Sequence, residues 1–78
     1  MPTVLRVGPY RFYFFVGDRA EPPHIHVKRD KAEAKFWLAP IRLARNFAFA
    51  DHELRAIEAI IRDNEQLLLE AWNDAFRN

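Results

Sequence analysis

The apolar residues of this 78-residue chain change period once, near residue 50, and that change restricts the fold more than any other feature. Before it, apolar residues alternate or gather in short β-branched and aromatic runs; after it, they recur every three or four residues. A chain that alternates first and turns helical second builds a sheet and then covers it, which is the α+β class. Thr3 to Val7 and Tyr10 to Val16 are rich in strand formers and are separated by Gly8-Pro9, which predicts a hairpin. Gly17 to Pro23 has loop composition, and Pro22-Pro23 delivers extended chain into His24. His24 to Arg29 and Ala32 to Leu38 form a second pair around Asp30-Lys31, and Ile41 to Arg45 offers a short fifth strand beyond Pro40. The expectation is one domain over residues 1–78, strand-rich over 1–47 and helical over 51–77. Its antiparallel sheet has four to five strands, covered on one face by a broken C-terminal helix.

In the helical part, Leu54, Ile57, Ile60, Ile61, Leu67, Leu68, Ala71, Trp72, Ala75 and Phe76 recur at spacings of three and four and mark one apolar face. Asp51 is the expected N-cap, with Glu53 near the positive end of the helix dipole. A continuous helix from residue 51 to 76 would run about 39 Å, longer than so small a domain is wide. Asp63-Asn64 is the expected break, because Asn64 interrupts the apolar stripe and both residues cap helices well.

Composition narrows the function classes. With no cysteine, disulfides, thiolate nucleophiles and Cys-containing metal sites are excluded. Half the residues are apolar and 29% are charged, far from a disordered composition. The N-terminus carries no secretory pattern and no apolar run reaches membrane-spanning length, so cytoplasm is the expected location, with no membrane partner. So short a chain buries only roughly 60% of its unfolded surface, which makes a partner or a homo-oligomer an expectation. Residues 1–45 hold nine Lys/Arg against four Asp/Glu, and residues 46–78 hold three against seven, so the two parts carry opposite charge. That polarity suits either an anion ligand or head-to-tail self-association.

A two-residue turn at Asp30-Lys31 sets the pairs Lys28/Glu33, Val27/Ala34, His26/Lys35, Ile25/Phe36 and His24/Trp37. Ile25, Val27, Ala34, Phe36 and Leu38 then share the core face, and His24, His26, Lys28, Glu33, Lys35 and Trp37 share the exposed one. In the first hairpin the pairs are Val7/Tyr10, Arg6/Arg11, Leu5/Phe12 and Val4/Tyr13, with Phe12 and Phe14 inward and Arg6, Arg11, Tyr13 and Phe15 outward. Arg6 opposite Arg11 is repulsive unless an anion sits between them. Cations interleaved with aromatic rings compose a surface for single-stranded nucleic acid, and equally an ordinary solvated sheet face.

His24-Ile25-His26 is the most specific chemical feature. Alternation sets both imidazoles on one face, about 6.6 Å apart along the strand. Two histidines can act as base and acid in metal-independent RNA cleavage, while Arg6, Arg11, Lys28 and Lys35 hold phosphate and Tyr13 and Trp37 stack on bases. This reading makes the chain a ribonuclease candidate that uses neither metal nor cofactor. One alternative is a non-catalytic interaction module with structural histidines, docking a partner through the Trp72/Phe76 side or the acidic side of Glu58, Asp63, Glu65, Glu70 and Asp74. Another is a His-based metal site, whose third ligand would be sought at Glu33 or His52.

At Tyr10-Arg11-Phe12, Glu21-Pro22-Pro23-His24-Ile25-His26-Val27, Glu33-Ala34-Lys35-Phe36-Trp37-Leu38, Glu53-Leu54-Arg55 and Glu70-Ala71-Trp72-Asn73, the chain resembles a small prokaryotic family, domain of unknown function number 4160. The resemblance implies the toxin of a type II toxin–antitoxin pair, acting on RNA or translation and held by a small cognate antitoxin-like protein. It carries over Arg11, His24, His26, Lys35 and Trp37 as the functional core. Where the family pattern has Gly and then Ser ahead of the first helix, this chain has Ala48 and Ala50, which shifts the expected cap to Asp51.

Overall fold

Strand formers on either side of short turns pair with their neighbours in chain order, and that is the topology found. The computed structural model describes residues 3–76. Five strands, β1 (Thr3–Val7), β2 (Tyr10–Tyr13), β3 (His24–Arg29), β4 (Ala32–Leu38) and β5 (Ile41–Phe47), lie in the order β1-β2-β3-β4-β5, each antiparallel to the next. Two helices follow, α1 (Asp51–Asp63) and α2 (Glu65–Phe76), making an α+β fold with an open sheet. Residue 77, the expected end of the helical part, lies outside the described residues.

The β3–β4 register agrees with the sequence expectation pair for pair, from His24↔Trp37 to Arg29↔Ala32. In the turn between them Asp30 takes φ 53°, a left-handed conformation that aspartate tolerates better than most residues. The first hairpin keeps Val7↔Tyr10, Arg6↔Arg11 and Leu5↔Phe12, but an irregularity then opposes Thr3, not Val4, to Tyr13. The fifth strand runs two residues further than expected, and its register against β4 shifts between Lys35 and Phe36. β2 is shorter than expected. It ends at Tyr13, and residues Val16–Ala20 form a turn of 3₁₀ helix, so Val16 is not in a strand.

Phe12, Phe14, Ile25, Val27, Phe36 and Leu38 fill the inner face and meet Ile57, Ile61, Leu68 and Trp72 from the helices. Ile57, Ile61 and Leu68 are fully buried. Each contributes about 1.5–3 kcal/mol by leaving water. Trp72, whose outward docking was one expectation, is core: its ring lies 5.3 Å from Phe14 and 4.4 Å from Phe76.

The helix breaks at Asn64, as Asp63-Asn64 predicts. The Asn64 amide donates to the Ile60 and Ile61 carbonyls, and its Nδ2 donates to Ile60 O at 2.8 Å. The domain's longest extent is 37 Å, so an unbroken helix of about 39 Å would overrun the sheet it covers. The cap of α1 differs from expectation. Ala50, not Asp51, occupies the N-cap, with no side chain capping it, and Asp51 is the first helical residue. Ala48 just before it holds φ 74°, a region that favours glycine. Asn46 bridges the connector by donating to Phe49 O and accepting from Phe49 N, which keeps Phe49 in the core. Arg29 of β3 then reaches Glu53 of α1 through two hydrogen bonds of 2.8 Å, and Tyr10 donates to the same carboxylate.

Candidate functional site

Paired residues of a sheet share a face, so the register writes out the outer face row by row. The first row is Arg6, Arg11, Lys28, Glu33 and Phe47; the second is Tyr13, His26, Lys35 and Arg45; the third is His24, Trp37 and Arg42. All eight residues expected to act in catalysis or RNA binding therefore lie on one face. What differs along the face is cover.

The first row is open. Arg6 and Lys28 are exposed, and neither forms an ion pair among the described residues. Between them Arg11 donates to Thr3 Oγ1 at 2.7 Å and lies over the Tyr13 ring. Phe47 at the far edge is 66% exposed. Glu33 sits between two hollows of the face, one of about 280 Å³ towards Arg11, Phe15 and Lys28, the other of about 210 Å³ towards Lys35, Arg45 and Phe47. Arg42, Arg45 and Phe47 are functional candidates absent from the sequence reading, which ended the fifth strand at residue 45 and assigned it no register.

In the other two rows Arg45 and Arg42 are exposed at the β5 edge, but Tyr13, His24 and His26 are covered, which corrects the expected exposure of both histidines and of Tyr13. Tyr13 is buried beneath Arg11, with Phe15 edge-on to its ring. Burial, followed by the neighbouring Glu33 carboxylate to which it donates, holds its phenol above the ordinary value. Phe15, 43% exposed, and Phe47 present the accessible aromatic surface in its place. Lys35 is half-buried, bonded to Glu21 and lying over the Trp37 ring. His24 has no exposed surface, and His26 is 8% exposed.

The cover is the 3₁₀ turn. Its Asp18 is folded back against the sheet by the Phe15 amide, which donates to Oδ2 at 2.7 Å, and the carboxylate then faces both imidazoles. Burial pushes the Asp18 carboxyl up, but the Phe15 amide bond and the contacts with His26 and His24 outweigh it and hold the group below its ordinary value. His26 Nε2 donates to Asp18 Oδ2 at 3.1 Å, while its ring stacks on Tyr13 and meets Phe15 edge-on. Burial lowers the His26 pKa and Asp18 opposes that shift.

His24 is arranged differently. Its Nδ1 lies 2.9 Å from the Pro22 carbonyl, which only accepts, so Nδ1 carries the hydrogen. Nε2 lies 3.1 Å from Asp18 Oδ1 but outside hydrogen-bonding geometry, and it is a buried nitrogen without a partner. Trp72 and Trp37 close the sides of this ring, with centroids 5.0 and 5.6 Å away.

Asp18, His24 and His26 thus offer three ligand atoms within 4.8 Å of one another, all on buried residues. Glu33 and His52, the expected third ligands, are elsewhere: Glu33 accepts from Tyr13, and His52 is exposed at the start of α1. Asp18 was legible only as an acidic residue six positions before His24, within a segment that reads as loop.

Between the 3₁₀ turn and α2 runs an apolar groove of about 470 Å³, lined by Val4, Phe14, Phe15, Val16, Ala71 and Phe76, among others. Among the described residues, no helix is long and apolar enough to cross a membrane. One family, described as a domain of unknown function (DUF4160), has a sequence model that matches residues 10–73. No curated protein and no solved structure matches the chain.

Proposed function

The chain belongs to the DUF4160 family, and we propose that it serves as a toxin-like protein that acts on RNA by binding single strands on its open sheet face. The observation that carries this reading is the adjacency of Arg6, Arg11 and Lys28 in one row. Cross-strand neighbours of like charge lie roughly 5 Å apart and destabilise the sheet, an arrangement that an external polyanion relieves. Arg42 and Arg45 extend the cationic surface on the far side of Glu33. Phe15 and Phe47 supply stacking surface at either side, as single-strand binders use it. The reading uses binding and not acid–base chemistry by the histidines, because His24 presents no surface to a substrate.

A labelled single-stranded RNA of about a dozen nucleotides tests it, titrated at several salt concentrations. Wild type should bind with an affinity that falls with salt, and Arg6→Ala/Lys28→Ala should lower the slope of log affinity against log salt by about 1.4, two phosphate contacts at about 0.7 each. Induced expression of wild type should slow growth and the double variant should not. A wild type without salt-dependent RNA affinity would remove this reading.

A second reading has its own observation. Val16 is 81% exposed beside the apolar groove, and Phe15 flanks it. Apolar side chains held out at the mouth of a groove favour a protein partner, and we propose that the small cognate partner docks there.

A further inference from the structure

Neutral imidazole has one donor and one acceptor nitrogen, so fixing one assigns the other. At His24 the Pro22 carbonyl fixes Nδ1 as the donor, leaving the Nε2 lone pair aimed towards Asp18. A carboxylate has no hydrogen to offer that lone pair. A proton on Nε2 would equally have no acceptor in hydrogen-bonding geometry, because Oδ1 is near enough at 3.1 Å but misaligned. Buried polar atoms are satisfied in the great majority of cases, and an orphan at the centre of a polar cluster points to a missing partner. The partner that suits a lone pair beside a carboxylate is a cation.

We propose that Asp18, His24 and His26 bind one divalent transition-metal ion of the zinc class. Two imidazole nitrogens and one carboxylate oxygen are a recognised ligand set for zinc and for non-haem iron(II), leaving a position for water. Bonds of about 2.0–2.1 Å set neighbouring ligand atoms roughly 3.0–3.4 Å apart. The observed separations from a single oxygen, Asp18 Oδ1, are 3.1 Å to His24 Nε2 and 3.3 Å to His26 Nε2, and already have that spacing. The outer contacts fit as well. His24 donates Nδ1–H to a backbone carbonyl, the usual partner that orients a metal-bound imidazole, and the Phe15 amide orients the Asp18 carboxylate. His26 shifts its hydrogen from Nε2 to Nδ1 on binding, so the ring stays neutral. The ion fastens the 3₁₀ turn to β3, and its binding free energy becomes stability of the fold.

The site is independent of the RNA-binding face, and its test reads no RNA. The full chain, stripped with a chelator, is titrated with zinc sulfate and separately with cobalt(II) chloride, following thermal unfolding and the visible cobalt bands. One equivalent should bind, and at about one hundred times Kd the melting temperature should rise by roughly 10 °C or more. Asp18→Asn keeps the acceptor for the Phe15 amide while removing the charge, and it should weaken binding by at least about 100-fold; His24→Gln should do the same. In case a variant fails to fold, cobalt bound to wild type should also displace the proton resonances of both imidazoles. A wild type that binds neither zinc, cobalt, iron(II), manganese nor nickel at stoichiometry would overturn the proposal, as would folded variants that bind like wild type.

Discussion

Two carboxylates tie this domain together, and they do it differently. Glu53 joins the helical layer to the sheet: Arg29 gives it two parallel hydrogen bonds, Tyr10 a third, and the geometry satisfies donors and acceptor alike. Asp18 joins the 3₁₀ turn to the sheet, but its partners are two imidazoles, and one of them meets it with an unpaired nitrogen. A guanidinium fork matches a carboxylate by itself, whereas here only His26 bonds the carboxylate, and His24, with its hydrogen held on Nδ1 by Pro22, turns a bare nitrogen towards it. The same device therefore reads as finished structure at one end of the molecule and as a ligand site at the other.

Removing the buried carboxylate should have the largest effect. Asp18→Ala strands the His26 imidazole and the Phe15 amide, and we expect the metal-free chain to lose about 3 kcal/mol in urea unfolding. An unchanged midpoint would mean that the turn contributes nothing to the sheet beneath it. On the Glu53 side, the connector leading into α1 can be improved. Ala48→Gly relaxes the left-handed backbone at φ 74° and should add about 1 kcal/mol; a loss would show that the connector is not strained there.

The smallest effect belongs to Glu53→Gln, and its signature is pH. Hydrogen bonds from Arg29, against a lesser opposing effect of burial, hold the Glu53 carboxyl below its ordinary value of 4.5. A carboxyl depressed on folding stabilises the fold above its unfolded pKa and stops doing so as pH falls through the folded one. Wild type should therefore melt above Glu53→Gln at neutral pH, and the two melting temperatures should converge as pH falls below 4.5. A gap that persists in acid would assign the difference to packing and not to charge.

Alternation was sufficient for much of this molecule. The Asp30-Lys31 turn and the run from His24 to Leu38 gave the register of β3 and β4, because a one-residue slip would have put Ile25 and Phe36 into water. The Asn64 break followed from helix length against domain width. Alternation says which face a residue takes, however, and not what lies over that face. His24 and His26 take the expected side of the sheet, but the turn covering them comes from a segment with neither period, so its Asp18 stayed out of view. Long-range partners such as Arg29 and Glu53 were equally illegible, since nothing local couples residues 24 positions apart.

The register shift on β5 has a consequence for charge. Arg42 and Arg45 are an odd number of positions apart, and an unbroken strand would send them to opposite sides. With one extra residue between Leu43 and Arg45, Arg45 opposes Lys35 and Arg42 opposes Trp37, so both reach the outer side while Leu43 opposes the core residue Phe36. The irregularity acts as a change of parity. Pairing Ala44 in regular alternation would turn one of the two arginines towards the core, so the irregularity of this strand, as much as its residue types, decides the sign of the surface it presents.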